Sequence, residues 1–345
     1  MKRFAAVLLS VPRLLLLVAP LSLLLPSPLP GHADVAAASA VDESVPPVSV
    51  GGDEVELAAP LLGRPQVLTG VIDELAGESV LLRSRGVLRP VPLRDVRQLR
   101  FTHPAGYDEG LRQMRSGEWR AAIVGLTSAL AVESRPWVLR EIRAELATCR
   151  RNLGEWEAGI REVEEILATD PDSRHVLQLP LVWDERLPAE QRYPAKMSEL
   201  QDQSAARRLT AGSALLFDAD HHDAAAATLL QLRKNGRGGL VRMAELQLWR
   251  VKFADRETLR VSDVEQLQER IGEFSRAMRG PGEFLCGRAY RQLGDYDRAA
   301  ACLLWMPFAA PLDPATRRAA LREAAEVLEE SGRPADARRI LRQCP

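Results

Sequence analysis

The chain has little lysine, little cysteine and few aromatic residues. Lys and Arg together number 46 in 345 residues, yet only Lys2, Lys196, Lys234 and Lys252 are lysine. Asp and Glu number 47 and the formal charge is -1. Such a balance offers no general attraction to nucleic acid or to an acidic membrane. The four cysteines, Cys149, Cys286, Cys302 and Cys344, include no Cys-x-x-Cys pair, which leaves zinc-ribbon and dithiol motifs without support. Also lacking are a glycine-rich phosphate loop, a His-Glu-x-x-His pair and a nucleophile elbow. Carboxylates are plentiful but follow the spacing of helix surfaces, so no acid/base pair stands out. The expectation is a protein with no catalytic residues, no cofactor and no metal ligands.

What is present begins with a leader. "MKRF" is a short basic start, Leu14 to Leu25 is an apolar run, and small residues follow at "GHA" and "ASA". Residues 1–40 read as a signal peptide or an N-terminal anchor, with cleavage after Ala33 or Ala40. The run is short and proline-interrupted for a membrane span. The chain is therefore expected to be exported, in a bacterial periplasm or cell envelope, and to touch a membrane only through an uncleaved leader.

Residues 41–65 mix Pro, Gly and acids without a period and read as a linker. From 66 to 102 short apolar runs are broken at Ala76-Gly77 and Arg85-Gly86, the places where tight turns would join antiparallel strands. Four strands are expected here, forming a small β module that resembles the Sm-like barrels. Arg83, Arg85, Arg89, Arg94, Arg97 and Arg100 stand in it against one acid in that run, Asp95. We read them as a solvated strand face in an arginine-rich protein, with an anionic partner as the alternative.

The remainder is helical, and it repeats. In "FLCGRAYRQLGDYDRAAACLL" (Phe284 to Leu304) Gly287, Tyr290, Gly294, Tyr296, Ala299 and Leu303 alternate small, large, turn, aromatic, small and large. Gly287 would let a second helix approach at Ala299, Gly294 can end the first helix in the left-handed conformation, and Asp295 can cap the second. The same frame holds at Gly110, Gly117, Trp119, Ala122 and Leu126, and again at Ala147, Gly154, Trp156, Gly159 and Val163. A last copy has Ala325, Gly332, Ala337 and Leu341, with Pro334 in the aromatic slot. Turn glycines stand 37 residues apart in the first pair (Gly117, Gly154) and 38 apart in the last (Gly294, Gly332). These segments resemble tetratricopeptide repeats, whose period is about 34 residues.

The fold expected is mainly α, a helical-hairpin solenoid preceded by a small antiparallel β module. Repeats one and two occupy 103–173, an insertion 174–205, and two degenerate and two clear repeats 206–345. In the first degenerate copy, "LLFDADHHDAAAATLL" lays Asp220 on the turn glycine and His222 on the aromatic slot. His221 and His222 thus read as turn residues, since adjacent histidines at a helix start point in different directions. The second degenerate copy, Gly238 to Phe274, lacks a turn glycine; Ala244 and Trp249 are its packing candidates. The insertion, rich in proline, reads as a loop with a short helix beginning near Pro194, and Trp183 as a plug for the array or else an exposed anchor. Cys286 and Cys302 fall on the two helices of one repeat, where either a disulfide or two buried thiols would fit.

The resemblance implies a concave groove lined by first-helix residues, holding an extended peptide or a partner's helix. The candidates in this sequence are Tyr107, Leu111, Met114, Arg151, Phe284, Arg288, Arg291 and Arg322. They depart from the Lys and Asn pattern of chaperone-tail binders, so that specificity does not carry over. The function expected is an exported scaffold or adaptor that binds another protein or peptide without catalysis. The alternatives are a membrane-tethered envelope component recognising its partner through the β module, and a metal-dependent enzyme using the His221/His222 turn. The last repeat has no added capping helix, which suggests that a partner or a second copy covers that end.

Overall fold

A computed structural model describes residues 52–57, 66–184, 192–309 and 314–342. The leader, most of the 41–65 segment and Cys344 lie outside the described residues.

The β module has five antiparallel strands: β1 (Asp53–Leu57), β2 (Val67–Ala76), β3 (Ser79–Ser84), β4 (Val87–Pro92) and β5 (Val96–Arg100), in the order β4-β3-β2-β1-β5. The second hairpin turn falls at Arg85-Gly86 as the sequence put it, and the first at Gly77-Glu78, one residue beyond Ala76-Gly77. Gly77 has φ of 53°, and Arg85 and Gly86 have φ of 51° and 78°, the left-handed geometry that two-residue hairpins require. The expected linker is corrected in one respect: it contains β1. Val55 is fully buried between β2 and β5, and the Asp53 carboxylate accepts from the Ile72 N–H at 2.7 Å. A five-residue strand whose partner β5 lies some forty residues away carries no local signature. The acids it brings also answer the arginine face, since Arg97 pairs with Glu56 at 3.0 Å and Arg100 with Glu54 at 3.1 Å.

The helices form six hairpins among the described residues. They are α1 (Tyr107–Arg115) with α2 (Trp119–Val132), α3 (Pro136–Asn152) with α4 (Trp156–Thr169), and α5 (Ala205–Leu215) with α6 (His222–Asn235). After them come α7 (Gly238–Ala254) with α8 (Val261–Gly272), α9 (Arg276–Gln292) with α10 (Tyr296–Ala309), and α11 (Pro314–Glu330) with α12 (Pro334–Leu341).

The repeated glycines take one conformation. Gly117, Gly154, Gly294 and Gly332 all have φ of 75–76°, with open space where a Cβ would stand. Backbone geometry, not crowding, selects glycine there. The residue after each donates back to the last helical turn, for example Asp295 N–H to the Tyr290 carbonyl at 2.9 Å, which meets carbonyls the helix end leaves open. Gly287 is chosen for the opposite reason. A Cβ there would lie 2.6 Å from Leu303 Cγ, so the helices touch. Gly110 has the same relation to Leu126, while between α3 and α4 the small residue has moved across to Gly159, against Ala147. Asp295 caps α10 as expected, accepting from the Arg298 N–H at 3.1 Å.

Two hairpins turn without a left-handed glycine. Asp220, expected to take that geometry, does not have positive φ. Asp218 closes the turn instead, accepting from the Asp220 N–H at 3.0 Å. Between α7 and α8 Asp255 does the same, accepting from the Glu257 N–H and the Thr258 hydroxyl. A short carboxylate that folds back on its own backbone is the known substitute for a glycine turn.

Two buried clusters result. One joins the sheet to α1, α2 and α3 through Val55, Ile72, Leu82, Leu126, Trp137 and Ile142; the other runs from α4 to α12. Trp137 is almost fully buried and donates Nε1–H to the Ile72 carbonyl at 3.0 Å, so a strand of the sheet is fastened to α3. Arg140 reaches the Leu75 carbonyl at 3.0 Å and the carboxylate of Glu74. Cys149, Cys286 and Cys302 are free and buried. Cys286 and Cys302 therefore stand as two thiols. Burial pushes all three up, Cys149 to about 12. Among the described residues no helix is long and apolar enough to cross a membrane.

Candidate functional site

The face formed by the first helices of the hairpins is where the groove candidates belong, and a stretch of the chain itself lies on it. The insertion leaves α4 at Asp170 and enters this face at Pro171. There the Gly239 N–H donates to the Pro171 carbonyl at 2.9 Å, and a Cβ on Gly238 would stand 2.0 Å from that oxygen, so only glycine admits the crossing. Ser173 then starts a 3₁₀ turn over Arg174–Gln178. Val176, fully buried, packs on Gly239, and the Thr148 hydroxyl of α3 donates to Gln178 Oε1 at 3.0 Å.

Glu141 of α3 holds the other side of that turn. It takes Arg174 at 2.8 Å and His175 Nε2 at 3.0 Å. Burial alone would push the Glu141 carboxyl up. The charges and hydrogen bonds of His175 and Arg174 overcome it and bring the group down to about 2. Glu145, one turn on, has no such pair, and burial with the repulsion of Glu141 raises it. Two carboxyls pushed apart in this way can signal an acid/base pair. The cavity at Glu141 measures about 10 Å3, room for a single water, and Glu145 does not line it. We read the group as a fastening.

Beyond Gln178 the chain makes a three-residue turn about Pro180, the Leu181 N–H donating to the Leu179 carbonyl at 2.8 Å. The Val182 N–H donates to Ser213 Oγ of α5 at 2.9 Å, and that hydroxyl donates on to Gln247 Oε1 of α7 at 3.0 Å. Arg250 also bonds the Gln247 oxygen and reaches the Ser213 carbonyl at 3.2 Å. With both donors on the oxygen, the buried Gln247 Nε2 finds no hydrogen-bond partner among the described residues. Arg288 of α9 closes the far end. It donates to the Trp183 carbonyl at 3.1 Å, pairs with the Asp184 carboxylate at 2.8 Å, bonds Glu323 of α11 at 2.9 Å and lies 4.1 Å over the Phe284 ring. Burial would lower its pKa, and the two carboxylates more than offset that.

The groove candidates are therefore placed differently from the sequence reading. Phe284 is 5% exposed and covered by Arg288, so it is not an open anchor. Arg288 is engaged by the chain's own residues, and Arg291 is paired with Glu326 at 2.9 Å and with Glu330. Tyr107 is buried against Phe101 and His103, while Leu111 and Met114 are half-buried on the sheet-side cluster. Arg151 is half-buried, and Arg322 alone of the eight is exposed. Trp183 packs partly buried against the main core, as a plug would. The short helix expected near Pro194 is a 3₁₀ turn over Met197–Gln201, and Tyr193 and Leu200 beside it are buried. The described parts of the insertion, 174–184 and 192–205, are thus packed against the protein and not an open loop. Its one sequence signal was apolar density, "VLQLPLVW", in a segment whose prolines suggested a loop.

The histidine turn is built from local bonds. His221 Nδ1 lies 2.6 Å from Asp218 Oδ1, and His222 Nδ1 lies 2.6 Å from the Leu216 carbonyl. The two rings face different partners, and among the described residues no group of three or more His, Cys, Asp or Glu is arranged to hold a metal ion. Against known proteins, no family model matches this chain and no curated protein matches it.

Proposed function

We propose that the protein is an exported, tetratricopeptide-type scaffold that binds another protein and catalyses no reaction. The observation that carries this reading is the first-helix face itself. It offers the Ser213 hydroxyl of α5 and the Arg288 guanidinium of α9 to backbone groups of a bound segment, and the chain's own residues 182 and 183 are held there in that way. The leader composition supports export, and the glycine frame supports the family reading.

Placing a photo-crosslinking residue at Arg322, on the exposed part of this face, tests it in the protein's own cells. A recurrent protein adduct, absent when the probe stands at Val124 on α2, is the expected result. No protein adduct from any first-helix position would sink the scaffold reading.

A second reading, recognition through the β module in a membrane-tethered assembly, has one observation in its favour. Val71, Arg83 and Leu88 are aligned across β2, β3 and β4, and Val71 and Leu88 are about half exposed. Changing both to lysine would abolish partner capture on this reading and leave it intact on the first.

A further inference from the structure

The chain segment on the first-helix face is held unevenly along its length. Its first half is locked: Pro171 sits on Gly238 and Gly239, Arg174 and His175 on Glu141, and Val176 has no exposed surface. Its second half, Leu179–Asp184, makes no ladder with any strand and leaves Leu181, Trp183 and Asp184 only half-buried. Behind Ser213, Gln247 is fully buried, and its Nε2 finds no acceptor among the described residues. A buried donor without an acceptor weakens whatever arrangement leaves it so.

The contacts define what the face recognises. A backbone N–H meets Ser213 Oγ, the following carbonyl meets Arg288, and a carboxylate one residue later pairs with the same guanidinium. Glu323 holds that guanidinium in place from behind, with Phe284 beneath it. The side chains read are apolar ones at 179 and 182, since Leu179 is 2% and Val182 5% exposed, the partly buried indole of Trp183 against the main core, and an acid at 184.

We infer that this face takes a protein segment with apolar side chains at the places of Leu179, Val182 and Trp183 followed by an acid, and that Leu179–Asp184 occupies its place as an internal stand-in which the partner must displace. The inference rests on the protein-binding reading above and adds the ligand's chemistry and its gate. Being tethered, the internal segment competes at a millimolar effective concentration. An external peptide of equal fit therefore binds the native chain weakly, and a partner succeeds by offering more contacts than the internal segment makes.

The test uses the full chain and a fluorescent peptide of residues 174–184, followed by anisotropy. In a variant with residues 179–184 changed to alternating glycine and serine, the peptide should bind at least about 10-fold more tightly than to the native chain. Adding Arg288→Glu to that variant, or Asp184→Lys to the peptide, should remove about 10-fold or more of the affinity. A folded variant that ignores the peptide, or binds it no better than the native chain does, overturns the inference. Should the variant fail to fold, hydrogen exchange of the native chain decides. Exchange at Val182 through an opening that leaves α3 and α9 protected supports a displaceable segment; exchange only with global unfolding makes it permanent core and overturns the idea. A crosslinked partner that does not compete with the peptide would sink this inference and leave the scaffold reading standing.

Discussion

Glycine does two different jobs in this chain, and the difference is measurable one residue at a time. At Gly294 the backbone is left-handed and space is open, so Gly294→Ala should cost about 1 kcal/mol from conformation alone. At Gly287 the backbone is helical and alanine should help intrinsically, but its Cβ would strike Leu303 and crowd the Ala299 carbonyl. Gly287→Ala should therefore cost roughly 1–3 kcal/mol by urea unfolding, with the helices forced apart. A stabilised Gly287→Ala would contradict the contact. The histidines can be settled at the same scale. Zinc titration of the native chain and of the His221→Ala/His222→Ala double variant should show no saturable binding in either. Saturable binding lost in the double variant would restore the metal reading. Both glycine roles were legible from spacing alone, because each depends on neighbours no more than one hairpin away. The Asp218 and Asp255 turns were legible only as missing glycines, since a carboxylate's choice of backbone donor depends on how the turn closes.

At the scale of elements, the fastening of the insertion to α3 should respond to pH. Glu141 is held at about 2 in the folded protein, below the ordinary carboxylate value. Such a depressed group contributes stability that is fully present above its unfolded pKa and lost as pH falls through the folded one. At neutral pH the contribution is at most about 3 kcal/mol. Glu141→Gln should lower stability at pH 7, and its deficit relative to the native chain should shrink as pH falls from about 5 toward 2. A deficit constant across that range would place the effect in packing and not in charge. Nothing in the local sequence pairs Glu141 with His175, which lies 34 residues on. The hairpin pattern shows that α3 exists and which face is apolar, but not what rests on the other face.

For the whole molecule, the sheet and the first hairpins share one buried cluster, so they should unfold together. Trp137→Ala should cost about 3–5 kcal/mol and expose residues 66–100 to protease, because the indole fills that cluster and carries the bond to Ile72. Loss of stability with the β segment still resistant would show that the sheet stands alone. The helical array, the geometry of its four glycine turns and the hairpin positions of the sheet were determined by the sequence itself: they rest on periodicity and on single residues whose backbone preference is local. The tertiary structure alone decided that β1 completes the sheet from within an apparent linker and that the insertion lies on the first-helix face. The β1–β5 pairing and the seat of the insertion both span long stretches of chain, where a segment's partner is set by the surface left uncovered when everything else has packed.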